Sequence, residues 1–453
     1  MNRIIIFSIV VLIFVSCQTY KPYVRTEIKT DSIFGENITT TDTTSLANIP
    51  LTELFSDQPL QSLIQKGLYE NSDMQIARQK VTEAEATLKA STKAFLPSLS
   101  LNPQGQLSSF DSNKAGKTYS LISNASWEMD AFGKLTNQRH GAVASTEESK
   151  AYEQAVKTQL IATIAGSYYN LLMLDAQLST SQLSAGSMAE TVRTLEIQQR
   201  VGDATEAAVS QARANKLAVD ASVLQLQNQI RQQENALCTL IGDTPHTIIR
   251  TSLTKQQFPE KLNIGLPFQL LDKRPDIREA EYALMKAYYN TNIARAAFYP
   301  SITLSGSAGW TNNSGSGIVN PGKLLFSTIG SIVQPIFNRG LNTAQLKIAQ
   351  AQQKEAQLNL QQKLLVAGKE INDALNDWQT ACARFAVGED QIKQMESTVK
   401  STYLLMQYSS GGSYLEVLTA QQSLLQAQLT HQNDCFAKIK AVITLYHALG
   451  GGI

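Results

Sequence analysis

The sequence predicts a mainly α-helical chain with a small amount of membrane-type β-structure, built as an internal tandem duplication. Three observations predict this. The word AFLPSLSL at 94–101 returns as AFYPSITL at 297–304, with Pro97 and Pro300 203 positions apart. Behind each copy, apolar and polar residues alternate with the period of a strand. Everything else ordered is written in long, Pro-free runs rich in Ala, Gln and Leu, the composition of long helices.

The elements follow in chain order. MNR and the twelve-residue apolar run IIIFSIVVLIFV suit a signal segment at 1–16 and are short for a membrane-spanning helix. FVSC then resembles a bacterial lipobox, with Cys17 as the lipid attachment site, although Phe14 stands where Leu is usual. The alternative is an ordinary signal peptide cut elsewhere. Residues 17–54, rich in Thr, Asp, Ser and Asn over 18–50, read as an extended arm. A first repeat is expected over 55–245, with a β-hairpin at 97–131 and a helical hairpin at 134–240. A linker and second repeat fill 246–453, with a β-hairpin at 300–337 and a helical hairpin at 342–449.

Helix starts are expected at Ser72 and Pro275, with capping boxes from Ser72 to Gln75 and from Asp276 to Glu279. Pro97 and Pro300 stop those helices. Beyond them, Leu99, Leu101, Pro103, Gly105 and Leu107 share one strand face, as do Ile302, Leu304, Gly306, Ala308 and Trp310. The opposite faces are Ser, Thr, Asn and Gln. Second strands are expected at 119–129 and 324–337, where the alternation is weaker. The turn-rich loops DSNKAGK and NNSGSGIVNPGK separate the strands. Trp127 and Trp310 fit either an aromatic girdle or packing beside neighbouring strands. The strands match a tilted membrane strand of about 9–11 residues. Lipid tolerates no open sheet edge, and four strands cannot close, so membrane strands of this kind must be pooled among several copies.

From Lys134 to about Ser184, and again from Asn342 to about Val387, no Pro interrupts a helical pattern, and fifty residues of helix extend about 75 Å. Each run is expected to break at Ala185–Gly186 or Gly388–Glu389. A return helix follows, itself interrupted near Gly202–Asp203 or Gly411–Gly412. Asp130–Gly133 parallels Pro335–Asn338, and Leu240–Gly242 parallels Ala448–Gly450.

Composition excludes several classes. Charged residues are 17% and the net charge is +1, with no basic run, so no nucleic-acid partner is expected. The four His, at 140, 246, 431 and 447, and Cys17, Cys238, Cys382 and Cys435 form no metal-ligand spacing. No nucleophile elbow or phosphate loop occurs, so the chain is not expected to be an enzyme, and no cofactor is expected beyond a covalent lipid on Cys17.

The duplicated plan, with LLDKRPDIREAEYAL (270–284), YSSGGSYLEVLTAQQSLLQAQ (408–428) and LYHALGGG near the end, resembles the TolC-like outer-membrane efflux channels, in the lipoprotein branch serving resistance-nodulation-division pumps. The resemblance implies a homotrimer whose pooled strands form a twelve-stranded outer-membrane β-barrel, continued by a long helical periplasmic tunnel. It also implies a periplasmic adaptor, an inner-membrane resistance-nodulation-division transporter and outer-membrane lipid as partners. The expected function is a passive exit duct for small molecules in a tripartite pump. The alternatives are a duct for type I protein secretion, or a structural, envelope-spacing coiled-coil lipoprotein. Loops 110–118 and 311–323 would face outside the cell. Asp373 and Asp377, four apart and hence on one helix face, are candidates for an acidic pore constriction near the tip set by Gly388, with Tyr168 as the next candidate. Nothing in the residues names the cargo.

Overall fold

The computed structural model describes residues 21–25, 49–109, 116–256, 274–311, 323–408 and 413–451. The signal segment, Cys17, the loop tips and Gly411–Gly412 lie outside them. The helices are α1 (Leu51–Leu54), α2 (Gln58–Glu70), α3 (Ser72–Lys93), α4 (Lys134–Val201), α5 (Glu206–Leu240), α6 (Pro275–Ala296), α7 (Leu341–Tyr408) and α8 (Tyr414–Ala448). The strands are β1 (Ser98–Ser108), β2 (Gly116–Met129), β3 (Ser301–Thr311) and β4 (Lys323–Val333). The duplication shows in the lengths. α3 and α6 have 22 residues each, β1 and β3 have 11, α4 and α7 have 68, and α5 and α8 have 35.

The described residues form two compact units. One takes in Gln79–Ala151 and Arg278–Gln362 together with residues 21–25; the other takes in Tyr152–Ile277, Lys363–Ile453 and the stretch up to Arg78. The first unit holds a single antiparallel sheet in the order β1-β2-β3-β4. The register runs Ser98 opposite Ser126, Ser120 opposite Thr311 and Ser301 opposite Val333. β2 and β3 therefore join the two hairpins, and β1 and β4 are the outer strands. Leu99, Leu101 and Leu107 on β1 and Phe326, Ile329 and Ile332 on β4 are exposed. Among the described residues no helix is long and apolar enough to cross a membrane.

The second unit is helical, with its core on α4, α5 and α8. Ile164, Tyr168, Leu171, Leu237, Val442 and Leu445 are buried there. Cys238 is buried on α5, while Cys382 and Cys435 are half-buried on α7 and α8.

Two expectations are corrected. The long helices do not break at Ala185–Gly186 or Gly388–Glu389, because α4 runs to Val201 and α7 to Tyr408. A helical Gly costs only about 1 kcal/mol relative to Ala, which a 68-residue helix absorbs. The chain turns instead at Gly202, whose φ of +91° favours glycine, and Thr205 then caps α5 by accepting the Ala208 N–H at 3.2 Å. Gly388 serves packing: a Cβ there would lie 2.9 Å from His431 Nδ1. The second correction is local. Asn71, not Ser72, caps α3, accepting the Met74 N–H at 3.0 Å, and Gln75 donates to the Tyr69 and Glu70 carbonyls.

Candidate functional site

For a chain of this kind the working parts are the sheet, the crossings between helix and strand, and the seams between long helices. Each crossing is built from sequence upward. α3 ends before Pro97 and α6 before Pro300, which leaves carbonyls without helical donors. Trp127 Nε1 donates to the Phe95 carbonyl at 2.9 Å, and Gln334 Nε2 donates to the Phe298 carbonyl at 2.9 Å. The two repeats thus close equivalent carbonyls with different donors. Trp127 thus takes part in the first crossing. On the return side, Asp130 accepts the N–H groups of Leu135 and Thr136, each at 2.8 Å, and caps α4. Asn342 Nδ2 reaches the Ala297 carbonyl at 3.0 Å, and Phe132 stacks on Tyr299 with ring centres 5.1 Å apart.

In the helical unit, the Arg274 of the RPDI word is 3% exposed. Its guanidinium grips Asp276 at 2.8 Å and Glu370 at 2.7 Å and donates to the Ala448 carbonyl at 2.9 Å. Burial opposes its charge, but the bonds to Asp276 and Glu370 outweigh burial and raise its pKa. Burial would also raise the Asp276 pKa, but Arg274 holds it below the usual carboxylate value. Asp276 accepts the Ile277 N–H at 3.0 Å as well, in the first turn of α6. His447, close by, is held low by burial and then by Arg274.

A second junction was not legible in the sequence. Asp57 Oδ2 accepts the hydroxyls of Tyr168 (2.9 Å) and Thr251 and the Gln256 amide (2.9 Å). Tyr168 is fully buried, and burial pushes its phenol up to about 12. It therefore does not face a pore, and its candidacy for a constriction is withdrawn. Arg250 bridges Asp175 and Glu234, each at 2.5 Å, fastening the segment after α5 onto α4 and α5. The α4–α8 seam carries uncharged polar pairs: Gln177 to Asn433 at 3.0 Å, Gln432 to Thr180 at 2.7 Å and Gln421 to Thr191 at 2.9 Å. Near the turns, Leu195, Val209, Ala212, Met406, Val417 and Leu418 form a buried cluster.

Asp373 and Asp377 both lie exposed on α7. Because α7 continues to Tyr408, they sit roughly eight to ten turns before its end and not close to the tip. Asp373 pairs with Lys369 at 2.7 Å. Asp377 lines a cavity with Arg384, Asp434 and Lys440. No group of three His, Cys, Asp or Glu side chains suited to a metal occurs among the described residues.

The family model for outer membrane efflux proteins matches this chain twice, over residues 63–243 and 266–451. The chain belongs to the outer membrane efflux protein family. The two matches fall on the two halves of the duplication. Among relatives, the Cation efflux system protein CusC of Escherichia coli O6:H1 is 32% identical over 405 residues, covering 88% of this chain and 87% of that protein. The Solvent efflux pump outer membrane protein SrpC of Pseudomonas putida is 31% identical over 416 residues, covering 88% and 87%. A crystal structure of CusC superposes with a TM-score of 0.82 at 31% identity, covering 89% of this chain and 95% of that one. This member of the family is thus an efflux channel protein of the outer membrane of Gram-negative bacteria.

Proposed function

We propose that three copies of the chain form the outer-membrane exit duct of a tripartite efflux pump, passing small molecules delivered by a periplasmic adaptor and an inner-membrane resistance-nodulation-division transporter. The observation that carries this is the sheet. It has four strands with apolar exposed side chains, it leaves β1 and β4 as outer strands, and helices enter and leave it at Pro97 and Pro300. In lipid such edges must pair, and three copies supply twelve strands, within the range of closed barrels. The long helices continue the duct on the periplasmic side, and the lipobox makes Cys17 the site of its lipid anchor.

The duct does not choose its cargo. Two relatives at nearly equal identity carry names that specify different cargo, cations and solvents. The pump upstream makes the selection. The test is to purify the protein, measure its mass in detergent and record from planar bilayers. A trimer with steady conductance is expected; a stable, non-conducting monomer overturns the reading.

A further inference from the structure

Within the helical unit, α4, α5 and α8 do not close on one another along their whole length, and two adjoining cavities lie between them. One, of about 670 Å³, is walled by Thr163, Gly166 and Ser167 of α4 and by Phe436, Lys440 and Thr444 of α8. The other, of about 480 Å³, is walled by Gln177 of α4, Gln229 and Gln232 of α5 and Asn433 of α8. Asn170 and Gln233 line both. From Gln159 to Gln177 the α4 wall rises about 27 Å, so the space is a trough and not a round pocket. Each volume lies in the range of ligand sites.

Three features of the trough point to a ligand. Gly166 sits inside α4, where glycine weakens a helix relative to alanine, yet a Cβ there would meet nothing within 4 Å. The protein's own packing does not require the missing side chain, and glycine is also the residue that lets a bound molecule approach a backbone closely. Next, the walls carry unused polar groups. The Gln233 amide is committed to the Ser167 carbonyl at 3.2 Å and the Gln177 amide to Asn433 at 3.0 Å. The side chains of Asn170, Gln229, Gln232 and Thr444 have no hydrogen-bond partner among the described residues. The last feature is charge. Glu370 on the wall is neutralised by Arg274 at 2.7 Å, and burial lowers the His447 pKa and keeps that ring neutral. Lys440 lines the larger cavity without an ion pair among the described residues. It also borders the cavity of Asp377 and Asp434, and no ion pair joins it to either. An uncompensated cation remains.

These groups define a ligand class. Amides and hydroxyls donate and accept, which suits a molecule dense in hydroxyl and acetamido groups. The Phe436 ring and Ile443 give an apolar patch for the C–H face of a sugar ring. An unpaired ammonium selects a carboxylate. An extended peptide, by contrast, is read through separate pockets for alternate side chains, and the trough is continuous. We propose that this trough binds a short glycan of N-acetylated, carboxylate-bearing sugars, with Lys440 on a carboxylate and a sugar ring seated over Gly166 against Phe436. The residues all belong to a single protomer, so the proposal does not rest on the trimer or on the exit-duct reading.

The test is calorimetric titration of the full-length protein in detergent with a tetrasaccharide of alternating N-acetylglucosamine and N-acetylmuramic acid, and in parallel with chitotetraose, its neutral counterpart. Saturable binding of the acidic glycan with a Kd below about 1 mM is expected, at least tenfold tighter than chitotetraose. Gly166→Leu should fill the trough and abolish binding of both, with a melting temperature no lower than that of the native protein, since leucine favours the helix and open space surrounds the Cβ. Asn170→Leu on the same wall serves if that variant melts lower. Lys440→Ala should bring the acidic glycan down to the affinity of chitotetraose. Absence of saturable binding to the native protein, or undiminished binding in the folded, trough-filling variant, overturns the proposal. Equal affinity for the two glycans, a preference that survives Lys440→Ala, or tighter binding of a peptide of alternating Ala and Glu overturns it as well.

Discussion

Arg274 brings a charge into a site where it is 3% exposed, and it is tolerated because two carboxylates and a carbonyl surround it. Removing one partner of such a pair costs about 3–5 kcal/mol, whereas exchanging the whole pair for apolar groups need not. His447 shares this neighbourhood and is held neutral by burial first and by Arg274 second. The sign follows from linkage. A histidine with a lowered folded pKa binds fewer protons folded than unfolded, so stability falls as pH drops through its unfolded value, about 6.5. Thermal melts from pH 7.5 to 5 should therefore show a loss of stability, and His447→Gln should flatten it. A profile unchanged by the substitution would place the acid sensitivity elsewhere, with Asp276 as a group whose own loss begins only near its unfolded value, about 3.9.

At the scale of elements, the tightest constraint is in β3. A Cβ on Gly309 would overlap the Leu121 carbonyl oxygen and come 2.7 Å from Ile122 Cα, both backbone atoms of β2. Among the described residues, β2–β3 pairing is the strand seam that joins the two hairpins. Gly309→Ala should open it and lower the yield of assembled protein several-fold on native gels. Gly330→Ala, with nothing within 4 Å, should assemble normally. The helices give a second prediction. If Asp373 and Asp377 line the duct, Lys369 offsets Asp373, so Asp377→Ala should reduce cation selectivity more than Asp373→Ala in single-channel reversal potentials. Equal conductance and selectivity in both variants and the native protein would remove both residues from the lining.

These elements also show what the sequence could tell. Pro97, Pro300 and the alternation behind them marked the crossings, because proline chemistry and strand period are local properties. The helix ends were misread, because Gly186 and Gly202 look alike as letters and only Gly202 takes a positive φ. Arg274 was visible within RPDI, but its bond to Glu370, 96 residues away, was not. The Asp57 junction was invisible for the same reason: Tyr168, Thr251 and Gln256 come to it from three separate stretches.

For the whole molecule, the decisive feature is that the four described strands leave β1 and β4 at the edges of the sheet. β1 carries Pro103 in mid-strand, which an outer strand tolerates because one face of its ladder is unused within the protomer. If three copies pool their strands as proposed, that edge meets the β4 of a neighbouring copy. The β4 edge offers the matching experiment. Proline placed in turn at Ser327 and Thr328 removes, at one position, an N–H directed toward β3 and, at the other, one directed to the outer edge. The outward-directed substitution should leave the helical circular dichroism and the melting of the protomer unchanged, yet prevent the trimer in detergent and abolish bilayer conductance. The inward-directed one should damage the protomer's own sheet as well. If both variants still assemble and conduct, β4 does not pair with another copy, and closure of the barrel by three chains is wrong.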